Sequence, residues 1–135
     1  MTNRDRVEVL DALALRIEST LCWVGPSVPV GHRAEVEAVV RAIRTLRVQV
    51  WPALVRGEEG CRIGLLGQVV GRGLSCLLAV RGSLSVGVVG VSEGVADTEL
   101  EIRVAKRLLD EMLGTTIEDA RRGLAAVADR NVESC

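Results

Sequence analysis

The chain has 135 residues, with 17 Lys plus Arg against 18 Asp plus Glu for a formal charge of −1, and 48% of it is apolar. That length and apolar share fit one domain with a core, and the near-neutral balance lacks the basic footprint of a general nucleic-acid binder. Phe and Tyr are absent and Trp23 and Trp51 are the sole aromatics, which excludes aromatic cages and base-stacking platforms.

The basic residues are Arg apart from Lys106, a bias that a GC-rich bacterial genome explains more simply than a binding role does. No run reaches the roughly 18–20 apolar residues of a membrane span. The start has no basic segment followed by an apolar one, as a signal peptide would. A soluble, cytoplasmic protein is expected.

From Arg4 to about Leu21, Val7, Leu10, Leu13, Ala14, Ile17 and Leu21 recur at spacings of three and four, which predicts an amphipathic helix capped by Thr2 or Asn3. The two Pro and two Gly of the Cys22–Gly31 stretch end it. A short hairpin, Cys22–Val24 with Val28–Val30, fits there, Pro29 confining the second arm to a sheet edge. A second helix follows from about Arg33 to Val50, with Glu37 and Arg41 as an i,i+4 pair and Pro52 stopping it near Trp51.

Between Gly57 and Gly94 the composition turns Gly-rich and weakly charged. Three strands are expected, Cys61–Val70, Leu74–Val80 and Ser83–Val91. Gly71-Arg72-Gly73 and Arg81-Gly82 are connections of hairpin length, and Leu84, Val86 and Val88 alternate with small residues. Short connections make this an antiparallel meander. Thr98-x-x-Glu101 then reads as a capping box opening a third helix that ends at Gly114. Thr115 or Thr116 restarts a thin fourth helix to about Ala128, and residues 130–135 fray. The domain reading is residues 1–114, with residues 115–135 as a helical appendage and tail.

Chemistry is sparsely written. Cys22, Cys61, Cys76 and Cys135 form no C-x-x-C, so neither a zinc site nor a thioredoxin-like motif is present. Without a secretion signal, reduced thiols are expected, with Cys22 and Cys76 as small core residues. His32 has no nucleophile elbow to serve, its pairing with Cys22 or Cys76 has no support in the spacing, and it reads as a loop residue before a helix. The glycines match neither a Walker loop nor a dinucleotide fingerprint. Glu58 and Glu59 read as solvated loop residues, Asp97 as a cap, and Glu99, Glu101, Asp110 and Glu111 as helix surface. No catalytic, cofactor-binding or metal-ligating residue is expected, and the chain reads as non-enzymatic.

The second helix is the candidate interface. Arg33, Arg41, Arg44 and Arg47 form either a partner-facing stripe or a solvated flank. The stripe of Val36, Val39, Val40, Ile43, Leu46, Val48 and Val50 is wider than one sheet face requires, and excess apolar surface of this kind meets another subunit. The interface set is Val36, Val39, Val40, Ile43, Arg44, Arg47, Val50 and Trp51.

From about His32 to Gly114, the helix Ala34–Val50, the meander Cys61–Val91, the acidic loop Glu93–Asp97 and the helix Glu99–Leu113 resemble the roadblock/LC7 family. The first hairpin is shorter than in that family. The resemblance implies an α+β fold, one antiparallel sheet backed by helices, in the order helix, short hairpin, helix, three strands, two helices. It also implies a homodimer built on the second helix and a partner such as a small Ras-like GTPase, bound by a scaffold or regulator without cofactors. The alternative from another class is a small-ligand sensor of profilin-like or GAF-like shape, its pocket under a sheet face of Cys76, Leu78, Leu84 and Val86.

Overall fold

The computed structural model describes residues 2–25, 28–55, 59–87 and 96–128. They form four helices: α1 (Asn3–Val24), α2 (Val30–Val55), α3 (Glu59–Gly87) and α4 (Ala96–Ala128). No strand occurs among the described residues, so the α+β class and the roadblock/LC7-like sheet expected from the sequence are corrected to an all-helical bundle.

Helix α1 opens with a capping box. The Thr2 hydroxyl accepts from the Asp5 N–H at 3.1 Å, and the Asp5 carboxylate accepts from the Thr2 N–H at 3.0 Å. That backbone hydrogen bond, helped by the Thr2 hydroxyl, holds the Asp5 carboxyl below its ordinary range. A carboxyl lowered in the folded state stabilises above its unfolded pKa and loses that contribution as pH falls through the folded value. NMR Cα shifts of residues 3–6 are therefore expected to move toward coil values below about pH 4. In Thr2→Ala they should already be displaced at neutral pH; pH-invariant shifts in the native chain would remove this role from Asp5.

The expected first hairpin is absent. Cys22–Val24 is the last turn of α1, and Val30 opens α2. Val28 is buried between them, its N–H donating to the Gly25 carbonyl at 3.1 Å and its own carbonyl accepting from Arg33 Nε at 3.0 Å. His32 lies in the first turn of α2 and not in a loop. Pro52 does not stop α2 but sits inside it. Pro52 and Val48, whose carbonyl loses its helical donor, are both exposed, so water can take that carbonyl.

The expected meander is α3. Residues 61–70, 74–80 and 83–87 are one continuous helix, and residues 88–91 of the third expected strand lie outside the described residues. The reason is visible in what is buried. Ile63, Leu66, Val70, Gly73, Leu77 and Val80 face the core at spacings of three and four, a helical period, whereas the alternation that suggested strands is confined to the end of the segment. Cys76 is buried while Leu78 is exposed, and Leu84 and Val86 continue the same helix, so no sheet face carries these four.

Helix α4 begins ahead of Thr98 and crosses Gly114 without a break. Leu109, Leu113, Thr116, Ala120 and Val127 are buried along it, so residues 115–128 pack into the core together with the preceding turns. The acidic loop expected at Glu93–Asp97 lies outside the described residues up to residue 95, as does the tail from residue 129.

Helices α1 and α3 each pack against all three others, with α2 and α4 flanking them. Ion pairs Asp11–Arg47 and Glu18–Arg44 set α1 antiparallel to α2, and Arg16–Asp119 with the Leu13–Gly123 contact sets α1 antiparallel to α4. The two pairings leave α2 and α4 running parallel to each other. Two glycines permit the tightest crossings. A Cβ on Gly73 would lie 2.8 Å from Ile17 Cγ2, and one on Gly123 would run into Leu13 Cδ1. By contrast, Gly67 and Gly71 face open space. Gly67→Ala and Gly71→Ala are each expected to raise stability, by up to about 1 kcal/mol, through helix propensity. Urea midpoints measure this; a loss at either position would mean that α3 is covered there.

A polar cluster locks α1 to α4. Thr20 Oγ1 donates to the Arg16 carbonyl at 2.8 Å, which leaves Thr116 to donate to Thr20 across 3.0 Å, and Arg16 Nε donates to Thr116 at 3.4 Å. Both buried hydroxyls are thereby satisfied. Thr116→Val keeps the shape but leaves the Thr20 oxygen without its donor, and is expected to cost about 1–3 kcal/mol by denaturation. An unchanged midpoint would show that the cluster contributes nothing.

Candidate functional site

A groove of about 380 Å³ opens between the C-terminal half of α1 and the N-terminal half of α2. Its floor is aliphatic, from Leu21, Val36 and Val40, and its rim is polar, from Cys22, Glu37, Arg41, Arg44 and Thr45. Arg44 Nε lies 3.4 Å from the Glu18 carboxylate and Nη2 lies 3.5 Å from Cys22 Sγ, so α1 holds this guanidinium at the rim. The Arg41 guanidinium has no hydrogen bond or ion pair among the described residues, and the expected Glu37–Arg41 pair is not formed. Cys22 is exposed, not the core residue expected.

Large apolar side chains are also exposed on the same two helices, outside the lining of the groove. On α1, Trp23 is 49% and Leu15 45% exposed; on α2, Val48 is 76% exposed. The sequence-derived interface set divides sharply. Val39, Ile43 and Val50 point into the core of the same chain, and Val36 and Val40 are buried at the groove floor. Arg47 donates to Asp11 at 2.8 Å in a half-buried pair, Arg44 lines the rim, and Trp51 is half-buried against the core. The excess apolar width read along the second helix therefore reduces to Val48. Leu15 and the groove itself escaped the sequence reading, because a stripe counted on one helix does not tell which flank its neighbours leave open.

Elsewhere, a charged depression of about 530 Å³ between α3 and α4 is lined by Arg81, Asp110, Glu118 and Arg121 among others. Arg81 Nε meets Asp110 there at 3.3 Å, and the exposed partners make this a weak pair. Burial, with the Glu35 carboxylate nearby, pushes the Cys76 thiol up against a weaker opposite pull from Arg72, so it stays a protonated packing residue. Among the described residues no hydrogen bond joins His32 to Cys22 or Cys76, and no group of three His, Cys, Asp or Glu side chains is placed to hold a metal ion.

One stretch of α3, Ile63–Ser83, is long and apolar enough by length and composition to cross a membrane, with a mean hydropathy of 1.7, contrary to the expectation that no such run exists. Packing in the bundle accounts for part of that apolarity, 39% of the stretch being buried inside it. No protein-family model matches this chain, and no curated protein or solved structure matches it either.

Proposed function

We propose that this chain is a non-enzymatic protein-interaction module that works as a homodimer. The observation that carries the reading is the α1–α2 groove, aliphatic at its floor and arginine-rimmed, on two helices that also expose Leu15, Trp23 and Val48. A groove with an apolar floor and a few polar groups at its rim is the default binding-site reading of a surface. Arg and Trp are also the side chains on which binding energy concentrates. The Ras-like GTPase implied by the family resemblance depended on a sheet-bearing fold, and the bundle supplies nothing that favours that partner over another. Static light scattering at micromolar concentration is expected to give twice the 14.5 kDa chain mass; a strictly monomeric mass overturns the reading.

The same groove supports the second reading, a small-ligand sensor, because its volume falls within the range of small-molecule sites. A metabolite that raises the melting temperature while leaving the mass monomeric would favour it.

A further inference from the structure

We infer that the α1–α2 groove binds a zwitterionic aliphatic amino acid, with leucine as the type. This deepens the small-ligand reading of the groove and rests on it. Three of the side chains lining the groove are charged, Glu37, Arg41 and Arg44, and the chain engages only the last of them. Arg44 meets the Glu18 carboxylate at 3.4 Å and reaches Cys22 Sγ. The side chains of Glu37 and Arg41 have no hydrogen bond or ion pair among the described residues, not even with each other. The rim therefore presents one unpaired carboxylate and one unpaired guanidinium over an aliphatic floor.

Their placement matches the two charges of an α-amino acid. Glu37 and Arg41 stand one turn apart on α2, which puts their Cβ atoms about 5–6 Å from each other. Across that span the two side chains can grip groups carried on a single ligand carbon, the ammonium on Glu37 and the carboxylate in the guanidinium fork. Val36 and Val40 each precede one of the charged residues, so an aliphatic stripe runs beside the charged one and forms the floor with Leu21 of α1. A branched side chain laid on that floor leaves water while both charged groups stay at the rim.

Ligands with one charge fit less well. No aromatic side chain lines the groove, so an ammonium finds no cage of rings there and is met by Glu37 instead. A ligand with only a carboxylate would set a like charge beside Glu37, and one with only an ammonium would do the same to Arg41. Little in the chain opposes the zwitterion. Glu37 and Arg41 are exposed, and an exposed i,i+4 pair is weak even where it forms, so it competes poorly with a ligand that meets both charges and buries carbon.

The test titrates the full chain with L-leucine, leucinamide and N-acetylleucine, followed by calorimetry and by the NMR amide shifts of residues 36–45. Leucinamide lacks the carboxylate and N-acetylleucine lacks the ammonium. Leucine is expected to bind about tenfold tighter than either. Both rim side chains are exposed, so Glu37→Gln and Arg41→Gln are expected to keep the native circular dichroism. In Glu37→Gln leucine should fall to the affinity of N-acetylleucine, and in Arg41→Gln to that of leucinamide. Equal binding of the three probes overturns the zwitterion and leaves an apolar small-ligand site, as does a leucine affinity that neither variant changes. Failure of all three to bind at millimolar concentration also overturns it, whereas the small-ligand reading itself falls only if no metabolite raises the melting temperature.

Discussion

Ile43→Glu is expected to abolish the native fold, not to dissociate a folded dimer. Ile43 has no exposed surface and lies in the single core cluster with Leu10, Ile17, Leu66 and Leu77. A carboxylate there must either lose its solvation without a partner or protonate, and leaving a buried charge uncompensated costs on the order of 3–5 kcal/mol. The lost aliphatic packing adds to that, and the total approaches the whole stability of a small domain. Val48→Glu, on the same helix but mostly exposed, should change stability by no more than about 0.5 kcal/mol. Urea titrations followed by circular dichroism separate the two. If Ile43→Glu kept the native midpoint and lost only association, Ile43 would belong to an external interface as the sequence suggested.

Gly73→Val is expected to destabilise by about 3 kcal/mol, against the sign of helix propensity, which favours almost any residue over glycine. The added Cβ would fall 2.8 Å from Ile17 Cγ2. Ile17 is β-branched and fully buried, so it has little rotamer freedom with which to retreat, and the two helices would have to part. The decisive measurement is the double variant with Ile17→Ala. Space opened on α1 should recover part of the loss, so the two single effects should be clearly non-additive. Additivity would show that these helices do not meet at this point.

Legibility in the sequence followed the kind of signal. Helix α1 was readable because Val7 to Leu21 alternates cleanly with charge, and Thr2 with Asp5 supplies a local cap. The body of α2 was readable for the same reason, although Pro52 suggested an end that the exposed face tolerates. The α3 segment misled because ten glycines between Gly57 and Gly94 resemble turn punctuation. The helical spacing from Ile63 to Val80 passes through one of them, Gly73, which is a core position only because α1 comes close. Gly114 misled similarly: it ends no helix, since the buried positions on either side stay in phase through it. The candidate site was the least legible part. Val36, Val40 and Arg44 were named for their stripe, but whether a residue of that stripe meets the core, the groove or the solvent depends on the neighbouring helices.

Composition, charge and helical periodicity by themselves determined one folded unit with two N-terminal amphipathic helices and a core of small branched side chains lacking Phe and Tyr. Those properties are local or additive, and each residue carries its share. Only the tertiary structure decided that the glycine-rich middle is a helix, that Ile43 and Val50 are interior, and that Trp23, Leu15 and Val48 are left at the surface. Each of these depends on which helices lie against one another, and hence on contacts between residues far apart in the chain.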